Sequence, residues 1–113
     1  MVERDSAYLV DILLAARDAI SFAADIDQGQ FETSRLYQNA IIRALEIVGE
    51  AAGRVSREMR SQTPDIPWQG MIGMRHRLIH GYDGVDLALV WKVVVTDLPA
   101  LVVVLESLIP DEP

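Results

Sequence analysis

The sequence predicts an all-α fold, an up-and-down bundle of four to five helices in one domain that covers residues 1–113. Apolar residues recur every three or four positions over long stretches, as they do on one face of a helix. Short segments of turn-forming residues separate these stretches. The β-branched runs at 93–95 and 102–104 lack the flanking turns of short strands. Helices joined by connections of about four to seven residues pack most simply as an up-and-down bundle.

The first helix is predicted over residues 5–26, and Asp5 or Ser6 would cap its N-terminus. The following residues, 27–34, have the composition of a turn. A single apolar stripe runs along the helix, so we expect this side of the helix to pack against a core. The stripe contains Tyr8, Leu9, Ile12, Leu13, Ala16, Ile20, Ala23 and Ile26.

A second, longer helix is predicted over residues 34–60, with Thr33 or Ser34 as its N-cap. Gly49 and Gly53 lie in its interior, where a glycine costs about 1 kcal/mol relative to alanine. Two such residues indicate that another backbone approaches this helix closely. Opposite the apolar face, charged residues at the spacing of ion pairs form a polar stripe: Arg43, Glu46, Glu50, Arg54 and Arg57.

A third, short helix is predicted over residues 68–80. The preceding segment contains Pro64 and Pro67, and two prolines three positions apart cannot lie inside a helix. Pro67 suits the first turn of the new helix, because a backbone N–H group would be unpaired there. Gly81 is placed to end the helix. Its apolar members are Trp68, Met71, Ile72, Leu78 and Ile79.

A fourth helix is predicted over residues 86–108, with Asp86 as its cap and with a kink or split that Pro99 causes near Asp97. A membrane-spanning helix needs about 20 nearly uninterrupted apolar residues. This segment is interrupted by Lys92, Asp97, Pro99 and Glu106. The N-terminus lacks the basic and apolar regions of a signal peptide. We therefore expect a soluble, cytoplasmic protein that does not interact with a membrane.

The composition excludes several classes of function. The chain has no cysteine, which excludes a thiol nucleophile, a disulfide framework and zinc sites built on thiolates. A formal net charge of −7 argues against a general nucleic-acid coat protein. However, residues 51–77 contain five arginines against two acidic residues, a local charge of +3. Because arginine is suited to phosphate contacts, we expect a narrow, salt-sensitive RNA-binding site.

Both histidines and two of the nine arginines lie in the octapeptide Arg75–Tyr82. Helix positions five apart differ by about 140° and about 7.5 Å along the axis, so Arg75 and His80 of one chain do not share a face. His76 and His80, four apart, do share one. One copy of this helix end is therefore an incomplete site. Two copies across a two-fold axis would bring a pair of arginines and a pair of histidines into one cleft.

These residue types suit the cleavage of RNA. One imidazole can remove the proton from a ribose 2′-hydroxyl group, and another can protonate the departing 5′-oxygen. Arginine can neutralise the charge of the phosphorane that forms between these steps. No metal ion or cofactor is needed for this chemistry.

Short segments follow one another in a characteristic order: Ala44–Ala51, Pro67–Trp68, Gly73–Tyr82, Val85–Asp86, Trp91 and Asp97–Pro99. Within them, Arg75, His80 and Tyr82 have the spacing arginine, four residues, histidine, one residue, tyrosine. In this arrangement the sequence resembles the HepT-like HEPN toxins over roughly residues 34–105. The spaced triplet alone would be a weak signal, but together with the other segments it is specific.

The resemblance implies a symmetric homodimer of helical bundles that acts as a metal-independent ribonuclease toxin on tRNA or mRNA, within a type VII toxin–antitoxin pair. Arg75 and His80 would be the catalytic residues, in a cleft between the protomers. It also implies an MntA-like minimal nucleotidyltransferase antitoxin that transfers AMP from ATP to Tyr82. A bulky, anionic nucleotide beside the arginines and histidines would occupy the phosphate site and cancel its charge.

Three further residues are candidate supporting or RNA-binding groups, and each has an alternative. His76 stands where the family usually has a small polar residue, so it either orients the site or adds a second titrating group. Arg77 either contacts an RNA phosphate or faces solvent. Arg54 either contacts RNA or belongs to a structural ion-pair seam with Glu46 and Glu50.

Two other functions stay open. The chain could be a non-catalytic helical adaptor that presents substrate or nucleotide to a partner nucleotidyltransferase. The acidic balance favours this alternative, because a dimer doubles the net charge of −7 and should bind RNA poorly outside the cleft. The chain could also be a structural dimer module without a ligand. RNA cleavage without added metal, and its loss in an Arg75→Ala variant, separates the enzyme from the adaptor.

Overall fold

The computed structural model describes residues 3–81 and 84–109, and of Glu3 only the backbone. Every regular element in these ranges is helical, and they contain no strand, so the predicted all-α fold is confirmed. The elements are α1 (Glu3–Ala23), α2 (Gln28–Thr33), α3 (Arg35–Arg54), α4 (Arg57–Gln62), α5 (Trp68–His80), α6 (Leu87–Lys92), a π-helical turn (Val93–Asp97) and α7 (Leu98–Leu108).

Helix α1 begins two residues before Asp5, so the prediction of Asp5 or Ser6 as its N-cap is wrong. Asp5 instead binds Ser56, 51 residues later in the chain. Its buried carboxylate accepts hydrogen bonds from the hydroxyl group of Ser56 at 2.7 Å and from the backbone N–H of Ser56 at 2.9 Å. Both hydrogen bonds lower the pKa of Asp5, and the bond from the hydroxyl group has the larger effect. The start of α1 is thereby tied to the start of α4.

The segment predicted as a turn after α1 contains the short helix α2. Asp27 and Gln30 form a capping box, in which each side chain accepts a hydrogen bond from the backbone N–H of the other, at 2.8 and 2.9 Å. Phe31 is fully buried, and its ring lies 5.6 Å from that of Trp91. Of the two predicted candidates, Ser34 caps α3, by accepting a hydrogen bond from the N–H of Tyr37.

The predicted second helix, 34–60, is divided into α3 and α4. Val55 is extended, and Ser56 caps α4 by accepting a hydrogen bond from the N–H of Met59 at 3.1 Å. The guanidinium group of Arg60 closes the break, because it donates to the carbonyl oxygens of Val55 at 3.0 Å and Gly53 at 2.9 Å. The prediction of one continuous helix is therefore wrong at residues 55–56, where Arg60 caps the end of α3.

Helix α3 lies between α1 and α5, and α1 packs against α7 and the π-helical turn on its other side. A shared hydrophobic core runs through these helices. Helix α5 packs against one side of α3. A groove separates α5 from the α6–α7 segment, so both border the same side of the bundle. The largest fully buried side chains of the core are Phe31, Leu9, Ile12, Leu13, Ile41, Leu105, Val55, Val90 and Val94.

The last 22 residues of regular structure, Leu87–Leu108, are helical throughout. The irregularity that Pro99 predicts near Asp97 is present as the π-helical turn, and Pro99 itself lies in the first turn of α7. By length and composition this segment could cross a membrane: its mean hydropathy is 2.1, and 22% of its most apolar window is buried inside the bundle. Its inner face belongs to the core of the bundle. The cytoplasmic location stays a prediction.

Candidate functional site

Helix α5 carries most of the predicted site and has the predicted bounds, Trp68–His80. Trp68, Met71 and Leu78 are buried and fix one face of the helix to the bundle. The indole N–H of Trp68 donates to the carbonyl and hydroxyl oxygens of Thr63, both at 3.2 Å. At the other end, a Cβ atom at Gly81 would lie 2.7 Å from the carbonyl oxygen of Arg77. Only glycine fits there without a shift of the backbone.

Arg75 lies on the buried face of α5, because it follows Met71 by four positions and precedes Leu78 by three. Its Cβ atom faces Gly49 of α3 so closely that a Cβ at position 49 would overlap it. The predicted close approach of a backbone is confirmed at Gly49. At Gly53 it is looser, since a Cβ there would meet only Ile72 Cγ1 at 4.0 Å.

The Nε atom of Arg75 is buried and has no hydrogen-bond acceptor among the described residues. The two carboxylates of α3 that lie nearest to Gly49 in the sequence pair with other arginines, Glu50 with Arg54 at 3.2 Å and Glu46 with Arg43 at 3.5 Å. A buried donor without an acceptor is rare in native proteins and calls for an explanation. Arg75 is therefore held by packing at its root, while part of its guanidinium group is unsatisfied.

His76 and His80 lie side by side on the exposed face of α5, with ring centroids 4.6 Å apart and ring planes at 50°. The prediction that they share a face is confirmed. One protomer thus supplies two adjacent imidazole groups, either of which can exchange protons with solvent or with a bound molecule. No group of three or more His, Asp or Glu side chains in the described ranges is placed to hold a metal ion.

A cleft of about 380 Å³ separates the end of α5 from the start of α6, and His80 and Arg77 belong to its lining. Asp86, on the opposite side, caps α6 by accepting a hydrogen bond from the N–H of Leu89 at 3.0 Å. Arg77 also borders a larger, mainly apolar groove of about 620 Å³ between α5 and α6–α7. The structure therefore places Arg77 with His80.

Arg75 and His80 are not brought together within one protomer. Arg75 faces α3 at Gly49, whereas His80 lines the cleft beside α6. This agrees with the separation of about 140° that their spacing predicts. A site that uses both residues on one substrate must combine them from two copies or reach around α5.

Tyr82 and Asp83 lie outside the described residues, so the predicted modification site has no structural description. The residues on either side are placed: the N–H of Gly84 donates to the carbonyl oxygen of Gly81 at 3.2 Å. Gly84 has a φ of 105°, a conformation that favours glycine. Both glycines line the cleft that contains His80.

The arginines of residues 51–77 do not form one patch. Arg54 pairs with Glu50, as the ion-pair alternative predicts, and Arg60 caps α3. Arg57 borders a shallow concavity beside Trp68, at the start of α5. Arg77 and His80 lie in the last turn of this helix, about 14 and 18 Å from its start along the axis. The local charge of +3 is thus divided between the two ends of α5.

The sequence analysis predicts a close approach at Gly49, but it does not predict that Arg75 is the residue that fills the space. A signal for it exists, because a charged residue on the apolar stripe of a helix needs room on the facing helix. Arg75 stands on the stripe of Trp68, Met71 and Leu78. A glycine in the helix that faces α5, here α3, is the simplest way to provide that room.

Comparison with known proteins gives a consistent result. A family model described as "Ribonuclease HepT-like" matches residues 12–108. "Putative RNase MJ1380" of Methanocaldococcus jannaschii is 44% identical over 102 residues, which cover 89% of this chain and 94% of that protein. "Probable ribonuclease HepT" of Thermococcus cleftensis is 42% identical over 94 residues, 83% of this chain and 86% of that protein. No solved structure matches the chain.

Proposed function

Because the chain belongs to the HepT-like ribonuclease family, we propose that it is an endoribonuclease in which Arg75 and His80 are catalytic residues and no metal ion takes part. The state of Arg75 carries this proposal. Its buried Nε–H group has no acceptor in the described part of the protomer. An unsatisfied buried donor costs about 1–3 kcal/mol, and a rotation of the half-buried side chain that brings its guanidinium group to an RNA phosphate would remove this cost.

In the proposed reaction the ribose 2′-oxygen attacks the adjacent phosphorus atom. The new bond from the 2′-oxygen to phosphorus forms as the bond to the 5′-oxygen breaks, which leaves a 2′,3′-cyclic phosphate and a 5′-hydroxyl group. His80 is exposed at the cleft and transfers a proton as the acid or the base. The second proton transfer belongs to His76, 4.6 Å away, or to His80 of a second copy. Arg75 stabilises the charge on the phosphorane.

A symmetric homodimer completes this site. Within one protomer Arg75 faces α3 and His80 faces the cleft beside α6, so the two residues approach different sides of α5. A two-fold axis beside α5 would place Arg75 of one copy opposite His80 of the other. Arg77, at the wall of the same cleft, would contact a flanking phosphate. Arg54, paired with Glu50, would contribute to RNA binding only after that pair opens.

The proposed function includes regulation as the toxin of a type VII toxin–antitoxin pair. An MntA-like nucleotidyltransferase would join AMP to Tyr82, as the phenolic oxygen attacks the α-phosphorus of ATP and pyrophosphate leaves. Gly81 and Gly84, which flank Tyr82 and Asp83 in the sequence, line the cleft of His80. An AMP group attached between them would compete with an RNA phosphate for that cleft.

Cleavage of RNA by the purified protein in the presence of a metal chelator tests the proposal. The wild type should release fragments that end in a 2′,3′-cyclic phosphate, detected by mass spectrometry. His80→Ala and Arg75→Ala should each lose at least about 100-fold in rate. Arg57→Ala is the matched control, because it removes the same charge at the opposite end of α5 and should cleave like the wild type.

Two results would contradict the proposal. If His80→Ala cleaves RNA as fast as the wild type, the catalytic assignment is wrong. If the unmodified wild type does not cleave RNA, yet gains the mass of AMP when it is co-expressed with a small nucleotidyltransferase, the non-catalytic adaptor is the better hypothesis.

A further inference from the structure

We propose that Gly49 is the positioning residue for Arg75, because the missing side chain on α3 forms the seat that sets the direction of the arginine. The proposal rests on the function proposed above, in which Arg75 binds the reacting phosphate. It concerns a residue on another helix, 26 positions earlier in the chain, that has no functional group of its own.

The seat is defined by two contacts. A Cβ atom on Gly49 would overlap the Cβ of Arg75 and would lie 2.7 Å from the carbonyl oxygen of Met71. Both neighbours are parts of α5 that cannot rotate away, one being backbone and the other the root of a side chain. The two helices therefore touch through the hydrogen atoms of Gly49. No residue with a side chain can stand at position 49 unless α5 moves.

Packing alone determines where Arg75 points. Neither Glu46 nor Glu50 binds it, since each pairs with a different arginine. Its Nε–H group has no acceptor among the described residues. In many sites a hydrogen bond or ion pair orients a catalytic arginine. Here the orientation depends on the wall formed by α3, and a shift of that wall moves the guanidinium group directly.

Alanine at position 49 would separate α3 from α5 by at least about 1 Å, because ordinary carbon contacts lie at about 3.5–4.0 Å. A displacement of this size at a catalytic group lowers activity by about 100-fold. Gly53 offers the matched control on the same helix. A Cβ there would meet only Ile72 Cγ1 at 4.0 Å, an ordinary contact.

The experiment compares Gly49→Ala and Gly53→Ala in RNA cleavage, in RNA binding at several salt concentrations, and in thermal unfolding. Gly49→Ala should lose about 100-fold in kcat/KM, while Gly53→Ala keeps the activity of the wild type. Binding is measured in the His80→Ala background so that the RNA stays intact. There Gly49→Ala should reduce the salt dependence by about one phosphate contact, as Arg75→Ala does. The double variant Gly49→Ala/Arg75→Ala should show no further reduction.

If Gly49→Ala lowered the activity only through a general structural change, the salt dependence of RNA binding would stay unchanged, or its reduction would add to that of Arg75→Ala. Either result overturns the proposal. If Gly49→Ala folds poorly, the exchanged pair Gly49→Ala/Arg75→Gly tests the seat by stability alone. The fall in melting temperature caused by Gly49→Ala should be smaller in the Arg75→Gly background than in the wild-type background, because the contact with the Cβ atom of residue 75 is gone and only that with the carbonyl oxygen of Met71 remains. Failure of this rescue overturns the proposal. The rescue is independent of RNA cleavage, so it separates failure of the seat from failure of the proposed function.

Discussion

Replacement of Asp5 by alanine is expected to lower the free energy of unfolding by about 3 kcal/mol. The side chain is 4% exposed and accepts two hydrogen bonds from Ser56, at 2.7 and 2.9 Å. A hydrogen bond to a charged group contributes about 1.5–3 kcal/mol, and the N–H of Ser56 would lose its acceptor. For a domain of this length the loss corresponds to a fall of roughly 10 °C in the melting temperature.

The effect should depend on pH, because the hydrogen bonds from Ser56 lower the pKa of Asp5 in the folded state. A carboxylate with a lowered pKa stabilises the fold above its unfolded pKa of about 3.9. This stabilisation is lost as the pH falls through the folded pKa. The difference in stability between the wild type and Asp5→Ala should therefore be constant near neutral pH and shrink below about pH 4.

Urea unfolding followed by circular dichroism measures both effects. Asp11→Ala is the control, because it removes an exposed carboxylate from the same helix and should change the stability by less than about 0.5 kcal/mol. If Asp5→Ala loses no more than this control, the contact does not hold α1 to α4. A difference that persists undiminished at the lowest pH would contradict the role of the carboxylate charge.

Two further predictions concern α5. Arg75→Met should raise the free energy of unfolding by about 1 kcal/mol, because it removes a buried donor that has no acceptor among the described residues. The same variant should abolish RNA cleavage. If urea unfolding shows it to be less stable than the wild type, the argument from the buried donor is wrong. Gly81→Ala should lower the melting temperature and the rate of RNA cleavage together, because its Cβ would lie 2.7 Å from the carbonyl oxygen of Arg77 and displace the end of the helix that carries His80. Unchanged cleavage by Gly81→Ala would separate the helix end from catalysis.

Local signals predicted the parts of the fold that depend on neighbouring residues. Helix α5 follows from two prolines before it and Gly81 after it, and Ser34, the cap of α3, is one of the two candidates that the sequence offers. The break between α3 and α4 could not be predicted in the same way. The apolar period continues through Val55, and the cap at Ser56 is reinforced by Asp5, which lies 51 residues away.

Helix α2 shows a second kind of failure. Its composition is that of a turn, but Asp27 and Gln30 form a reciprocal capping box that starts a helix. Phe31 then holds the helix in place by burial against Trp91 of α6, a contact across 60 positions of the chain. A pattern within a short window contains no information on such a partner.

In the candidate site, helical spacing was sufficient for the relation of the two histidines and for the separation of Arg75 from His80. The local charge of +3 was misleading, because charge counted along a chain does not show which arginines are already bound. Arg60 is committed to carbonyl oxygens and Arg54 to Glu50. Only the tertiary structure shows which helix lies opposite Arg75 and that its Nε atom has no acceptor.

The contact between Gly49 and Arg75 also limits how this sequence can change during evolution. A mutation at position 49 to any other residue removes room that the arginine needs, so the two positions cannot vary independently. A lineage that lost the arginine would be released from the requirement for glycine, and larger residues could then accumulate at position 49. Among relatives, glycine at the one position should accompany arginine at the other, as expected of residues in spatial contact. Paired loss of both would then mark copies that have given up catalysis while keeping the helical bundle.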